Sequence, residues 1–219
     1  MLLLIVLLTL GLAVAIPSGV FVDQVATDTK PITQIGLINA QGGNFTELNI
    51  SGETQTLAWQ GYYGTIDANL TLSDDKNNTF YGWSAENLST GKIFASRSST
   101  VSWATIAAQN DCTVDESLTG TLSDRVNSTF SPSTNAEMLI GDINITANST
   151  CAAWTYVNST AQTDVFQELI LTDGSSIVYA AFINQSTQGF DSNSYDFQMI
   201  IPETQNRSKS DYYFYSEFS

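Results

Sequence analysis

Eleven asparagines precede a serine or threonine by two positions: Asn44, Asn49, Asn69, Asn77, Asn87, Asn127, Asn144, Asn148, Asn158, Asn184 and Asn206. In an N-x-S/T sequon the side-chain amide nitrogen is the atom that accepts an N-glycan during export. These are eleven of sixteen asparagines, and with 51 serines and threonines among 219 residues chance would place about four. The excess predicts a chain that passes through a glycosylating export route and works outside the cell. Covalent N-glycans are the expected modification, and no cofactor is expected beside them.

Two other residue types bound the chemistry. The only cysteines are Cys112 and Cys151, too few for a thiolate metal site and too far apart for a redox CxxC pair. A structural disulfide between them is expected, which again implies an oxidising compartment. There is no histidine at all. That removes the common general base, the common zinc ligand and the Ser-His-Asp triad together. No enzyme activity and no metal centre are expected. Two loops offer oxygen ligands that calcium could use: Asp74, Asp75 and Asn77, and Asp191, Asn193 and Asp196. Neither has calcium-hand spacing, so turn chemistry is the preferred reading of both. Seven basic residues against 22 acidic ones give a formal charge of -15. Such a surface repels phosphate backbones, so no nucleic-acid partner is expected.

The elements that must carry these residues read as strands. Two-residue alternation recurs beyond the N-terminus and helical periodicity does not. In 65–73, Ile66, Ala68, Leu70 and Leu72 alternate with polar residues, and the sequon at Asn69 falls on the wet face. Residues 139–146 end with Ile143 and Ile145 opposed to Asp142 and Asn144. Further strands are expected at 32–39, 54–63, 79–85, 92–96, 100–106, 152–157, 165–171, 177–183, 195–201 and 212–218. TDGS at 172–175, between ELIL and IVYAAFI, is the clearest hairpin signal. The segment 110–135 reads as a long loop or a crossover between sheets. The aromatics Trp59, Tyr62, Tyr63, Tyr81, Trp83, Trp103 and Trp154 could stack sugars. Core packing is the preferred role for most of them, with Val101 beside Trp103 and Tyr81 beside Trp83 on shared faces. Many short strands at this spacing predict an antiparallel β-sandwich, Ig-like or jelly-roll-like.

The first 22 residues carry no charge, and no Lys or Arg precedes Lys30. As a helix they would reach about 33 Å, enough to cross a bilayer. Three readings of this stretch remain open. It could be a cleaved export signal, with Ala13-Val14-Ala15 as the cleavage pattern. It could be a permanent anchor. Or it could be what a prepilin-type peptidase leaves after removing a basic leader. In that third case Leu2, Leu3, Leu4, Ile5, Leu7, Leu8, Leu10, Gly11, Leu12 and Val14 form a polymerisation helix, with Gly11, Ala13 and Ala15 permitting close approach.

The layout, an apolar N-terminal helix ahead of a Thr/Ser-rich glycosylated β-domain, resembles archaeal type IV pilins and archaellins. The stretch WQGYYGTIDANLTLSDDKNNTFYGWS, with DGSSIVYAAFI and YDFQMIIPE near the C-terminus, is similar to a domain of uncharacterised secreted archaeal proteins. The resemblance implies a mainly β protein with a hydrophobic helix over 1–26 and a glycosylated head over 27–219. It implies a subunit of a pilus-like extracellular filament, a helical homo-oligomer that resides transiently in the membrane before assembly. A monomeric surface adhesin or sugar-binding sandwich, membrane-anchored or secreted, is the alternative. A filament joined by an extended N-terminal strand that completes the next subunit's sheet lies between the two.

Overall fold

The computed structural model describes residues 16–30, 39–49, 55–68, 70–83, 90–120, 123–205 and 209–218. In chain order the strands are β1 Ser18–Gly19, β2 Trp59–Gly64, β3 Leu70–Ser73, β4 Thr79–Trp83, β5 Gly91–Ser96, β6 Ala107–Ala108, β7 Met138–Ile140 and β8 Ile143–Ile145. There follow β9 Ala152–Trp154, β10 Gln167–Thr172, β11 Ile177–Phe182, β12 Thr187–Gln188, β13 Ser194–Tyr195, β14 Phe197–Pro202 and β15 Tyr213–Phe218. Every pairing is antiparallel. Two one-turn helices, α1 Glu116–Thr119 and α2 Val126–Thr129, are the only α-helices among the described residues.

A seven-stranded sheet forms the centre, in the order β1-β15-β5-β11-β10-β6, with β9 also pairing β10. Its inner strands read GKIFAS, QELILT and IVYAAF, with little alternation, because both of their faces are covered. On one face Ile93, Ala95, Ile170, Tyr179 and Ala181 meet Met199 and Ile201 of β14, Val126 and Phe130 around α2, and both cysteines. On the other face Phe94, Leu169, Leu171, Val178 and Ala180 meet Met138, Ile140 and Ile145 of the β7–β8 hairpin, together with Ile106. Strand β14 pairs with β2 as a second small sheet over the first face.

Local chemistry explains the turns. The β10–β11 hairpin closes through TDGS, as expected. Gly174 sits at φ 91°, and Asp173 Oδ1 accepts the N–H groups of Ser175 and Ser176 at 2.9 and 2.7 Å. The N–H groups of Ser102, Ser175 and Ser176 hold the Asp173 carboxyl below the usual range.

Several expectations need correction. Residues 139–146 are not one strand. Gly141, at φ 55°, turns the chain so that β7 and β8 pair Met138 with Ile145. A Gly-Asp pair in a two-residue loop favours that turn over continued extension. Asn144 still faces outward, as the alternation requires. The expected strand at 100–106 contains a 3₁₀ turn, Trp103–Thr105. Trp103 and Val101 nonetheless pack against one core cluster, Trp103 between Phe94 and Tyr215 with ring centroids 5.0 and 5.2 Å away. The β3–β4 hairpin is not laid on the core. Leu72, Phe80 and Tyr81 are all exposed, so the core packing expected for Tyr81 is not found. Of the helix expected over 1–26, residues 1–15 lie outside the described residues, and 16–26 hold no helix, only the short strand β1. The strand expected at 32–39 lies outside them except at Asn39.

The segment 110–135 packs onto the core through Val126 and Phe130, and it carries one end of the disulfide. Its far end is organised by Asn135, which is only 2% exposed. Asn135 Nδ2 donates to the carbonyls of Ala136 and Thr146, while Oδ1 accepts from Ser149 N and Thr150 N at 2.8 and 2.9 Å. Replacing Asn135 by Ala removes the side-chain partner of four backbone groups, of which the Thr150 N–H is buried, while Thr146 O keeps the Ser149 hydroxyl. We expect a loss of about 2–3 kcal/mol in a urea denaturation series. A change within a few tenths would show that water replaces the amide without cost.

Candidate functional site

Seven of the eleven sequon asparagines are both described and exposed: Asn44, Asn49, Asn77, Asn127, Asn144, Asn148 and Asn158. Three of these, Asn77, Asn148 and Asn158, sit at positive φ of 62°, 59° and 46°. Asparagine tolerates that region better than most residues, so these sequons occupy tight turns. Asn127 lies on α2, where its Oδ1 accepts from Arg125 Nε at 2.6 Å. On the outward side of β8, Asn144 donates through Nδ2 to Glu137 Oε1. Asn184 differs from the rest. It is half-buried, and its Nδ2 donates to Val165 O at 3.1 Å. Asn69, Asn87 and Asn206 lie outside the described residues.

Cys112 and Cys151 form the expected disulfide, closing a separation of 39 residues with a Cα–Cα distance of 5.7 Å. Both are buried, with Cys151 at 0% exposure against β10.

The N-terminal segment meets the sheet at its open edge. Ser18 pairs with Ser216 and Gly19 with Tyr215, and Val20 N donates to Phe214 O at 3.3 Å. Beyond those contacts Phe21, Val22 and Val25 stand in solvent, Phe21 at 96% exposure. The polymerisation residues Leu2, Leu3, Leu4, Ile5, Leu7, Leu8, Leu10, Gly11, Leu12 and Val14 lie outside the described residues. Among the described residues no helix is long and apolar enough to cross a membrane.

In the two calcium-capable loops the carboxylates accept hydrogen bonds, within their own turns at Asp74 and Asp191 and also from the distant Ile66 at Asp196. Asp74 Oδ1 accepts from Lys76 N and Asn78 N, and Oδ2 accepts from Asn78 Nδ2 at 2.8 Å. Those bonds, led by the Asn78 side chain, hold its carboxyl below the usual range. Asp191 and Asp196 do not converge in purpose. Asp191 binds Asn193 and the Tyr195 hydroxyl, whereas Asp196 receives the N–H groups of Ile66 and Ser186. No group of three metal-capable side chains occurs among the described residues.

Three polar arrangements were not foreseen, two of them buried. Lys92 and Glu217 face each other across β5 and β15 with Nζ–Oε1 at 3.0 Å, and Glu217 Oε2 takes the Gly141 N–H. Asp115 binds Arg97 through one oxygen and accepts the Tyr179 hydroxyl on the other at 2.8 Å. Burial, then the Asp115 charge, pushes the Tyr179 hydroxyl well above its ordinary value. Glu168 is fully enclosed on β10, with Oε2 accepting from Ile200 N and Oε1 unpartnered. A charged letter inside a doubly covered strand, as in QELILT, is the signal that marks it.

The aromatics divide. Trp59, Tyr62 and Trp103 pack against core clusters, as expected for most. Tyr63 does not. It joins exposed Phe190 and half-buried Tyr195 in a trio of rings. No protein-family model, curated protein or solved structure matches the chain. Function is therefore argued from the arrangement itself.

Proposed function

We propose that this protein is a structural subunit of an extracellular, pilus-like filament of the archaeal kind it resembles. Its head is a β-sandwich of Ig-like or jelly-roll-like type, N-glycosylated on its outer surface. Copies join through the apolar N-terminal segment, bundled at the filament axis. The head serves adhesion or surface protection.

One observation carries this reading. Of the fifteen large apolar residues left exposed among the described ones, eleven precede residue 84, from Ile16 and Phe21 through Leu48 to Phe80 and Tyr81. The remainder of the chain buries its apolar residues on both faces of the central sheet. Apolar side chains left exposed over one stretch of the sequence are available for neighbouring copies to cover. Covering it in a polymer returns roughly 25 cal/mol for each Å² removed from water. The seven exposed sequons supply outward positions for glycans.

A second mode of joining has its own support. β15 spans six residues, yet β1 pairs with only Ser216 and Tyr215 of it. An extended segment from a neighbouring copy could lengthen that pairing, since an open edge offers free N–H and C=O groups.

The test is sedimentation of the secreted full chain beside a Phe21→Asp/Val25→Asp variant. Wild type is expected to sediment as a heterogeneous polymer, and the variant to shift at least tenfold in mass towards monomer. Monomeric wild type that binds a specific sugar would favour the adhesin instead.

A further inference from the structure

A tight hairpin tip and a neighbouring loop meet beside the partly exposed aromatic trio, and the tip carries a sequon. Val157 N donates to Thr160 O at 3.0 Å and Thr160 N to Val157 O at 2.9 Å. Between them Asn158 and Ser159 adopt φ of 46° and 58°. Two consecutive left-handed residues make a type I′ turn, so Asn158 sits at the hairpin tip. The tip is clamped to the loop, because Asn158 N and Ser159 N donate to Gly189 O and Phe190 O, both at 2.8 Å. Its side chain is oriented as well. Ser192 Oγ donates to Asn158 Oδ1 at 2.6 Å, while Nδ2 has no partner among the described residues.

The rings beside it are built, not incidental. Phe190 lies nearly parallel to Tyr195, with centroids 6.0 Å apart and planes 12° apart. Tyr63 meets both edge-on at 4.9 and 4.8 Å. The Tyr195 hydroxyl is anchored to Asp191 Oδ2 at 2.9 Å. Gly189 permits the close approach, since a Cβ there would stand 2.4 Å from the Tyr195 ring. Yet Tyr63 remains 49% exposed and Phe190 39%. Preorganised rings left open to water are a surface with something to receive.

We propose that the first sugars of a glycan on Asn158 fold back onto the Phe190–Tyr195–Tyr63 cluster. The proposal rests on the reading of the sequons as glycosylated. A glycan on Nδ2 begins on the amide that Ser192 holds, two residues along the loop from Phe190. The C–H face of a pyranose carries slight positive charge, and the face of an aromatic ring is its negative pole. Such a dock covers the rings without any partner protein. It also gives this sequon a stabilising role beyond shielding.

The test is a double-mutant cycle on the full chain from a glycosylating host, repeated on material from a non-glycosylating host. Thr160→Val abolishes the sequon while leaving Asn158 and its Ser192 bond in place. Phe190→Leu keeps apolar bulk but removes the ring face. Peptide mass spectrometry of the wild type reads occupancy of Asn158. We expect an occupied site, a melting temperature about 2–4 °C lower for Thr160→Val, and no such loss when Phe190→Leu is already present. In unglycosylated material the two substitutions should act additively. An unoccupied Asn158 overturns the premise about this sequon, and the dock with it. Occupancy with an additive cycle overturns the dock alone. Concentration-dependent protection of the rings in unglycosylated protein would assign the surface to a second copy and also overturn it.

Discussion

Replacing Cys112 and Cys151 together by alanine is expected to lower the unfolding free energy by about 4 kcal/mol. The bond closes a separation of 39 residues, and loop-closure entropy removed from the unfolded chain sets that scale. The folded side adds to the effect. Cys151 is fully buried, and its backbone is bonded both to Gln109 and to Ile170 of β10. The cross-link therefore pins the start of 110–135 to the central sheet, beneath Val126 and Phe130. For a chain of this size the loss corresponds to a melting temperature lower by roughly 8–16 °C. Calorimetry of the double variant beside reduced and oxidised wild type checks it. A change below about 1 kcal/mol would show that the loop is held by packing alone.

Stability is also expected to fall as pH rises, through Glu168. Complete burial pushes its carboxyl well above the usual carboxylate range, and only the Ile200 N–H opposes that shift. The folded protein thus keeps a proton that the unfolded chain releases near the ordinary value. A raised folded pKa gives stability that is fully present below the unfolded value. It is lost as pH climbs through the folded one, at about 1.4 kcal/mol per pH unit inside that window. Carboxyls such as Asp74 and Asp173 act in the opposite sense, being held low in the fold. The difference between wild type and Glu168→Gln isolates the one group. Melting curves of the two should converge below about pH 4 and separate above it, with the glutamine variant the more stable at neutrality. Parallel curves across that range would mean that Glu168 is ionised in the fold.

What could be read from the sequence was whatever is local. TDGS announced its hairpin because Asp and Gly act within four residues, and the structure uses both. The cysteine pair needed only elimination. Alternation placed Asn144 outward correctly even though the surrounding segment folds back on itself. One misreading arises because alternation says which residues share a face and not what covers that face. Leu72 and Tyr81 alternate as core residues do, but the β3–β4 hairpin pairs only with itself. Conversely, β5, β10 and β11 do not alternate cleanly because the β7–β8 hairpin covers one of their faces and β14 with the region around α2 covers the other.

The least legible features are long-range. Asn135 looks like any loop asparagine until Ser149 and Thr150 arrive from across the β7–β8 hairpin. Lys92 and Glu217 are separated by 125 residues before the sheet sets them opposite each other. The trio of Tyr63, Phe190 and Tyr195 is assembled the same way, so no spacing in the sequence marks it. Sequons are legible as a pattern, but only the fold distinguishes a clamped turn at Asn158 from the half-buried amide of Asn184.

The most direct measurement is electron microscopy of the protein isolated from its native source. Continuous fibres are expected, with the region before residue 84 inside the subunit contacts and the sequon-bearing faces outward. Native material seen only as separate, soluble particles would contradict the filament account.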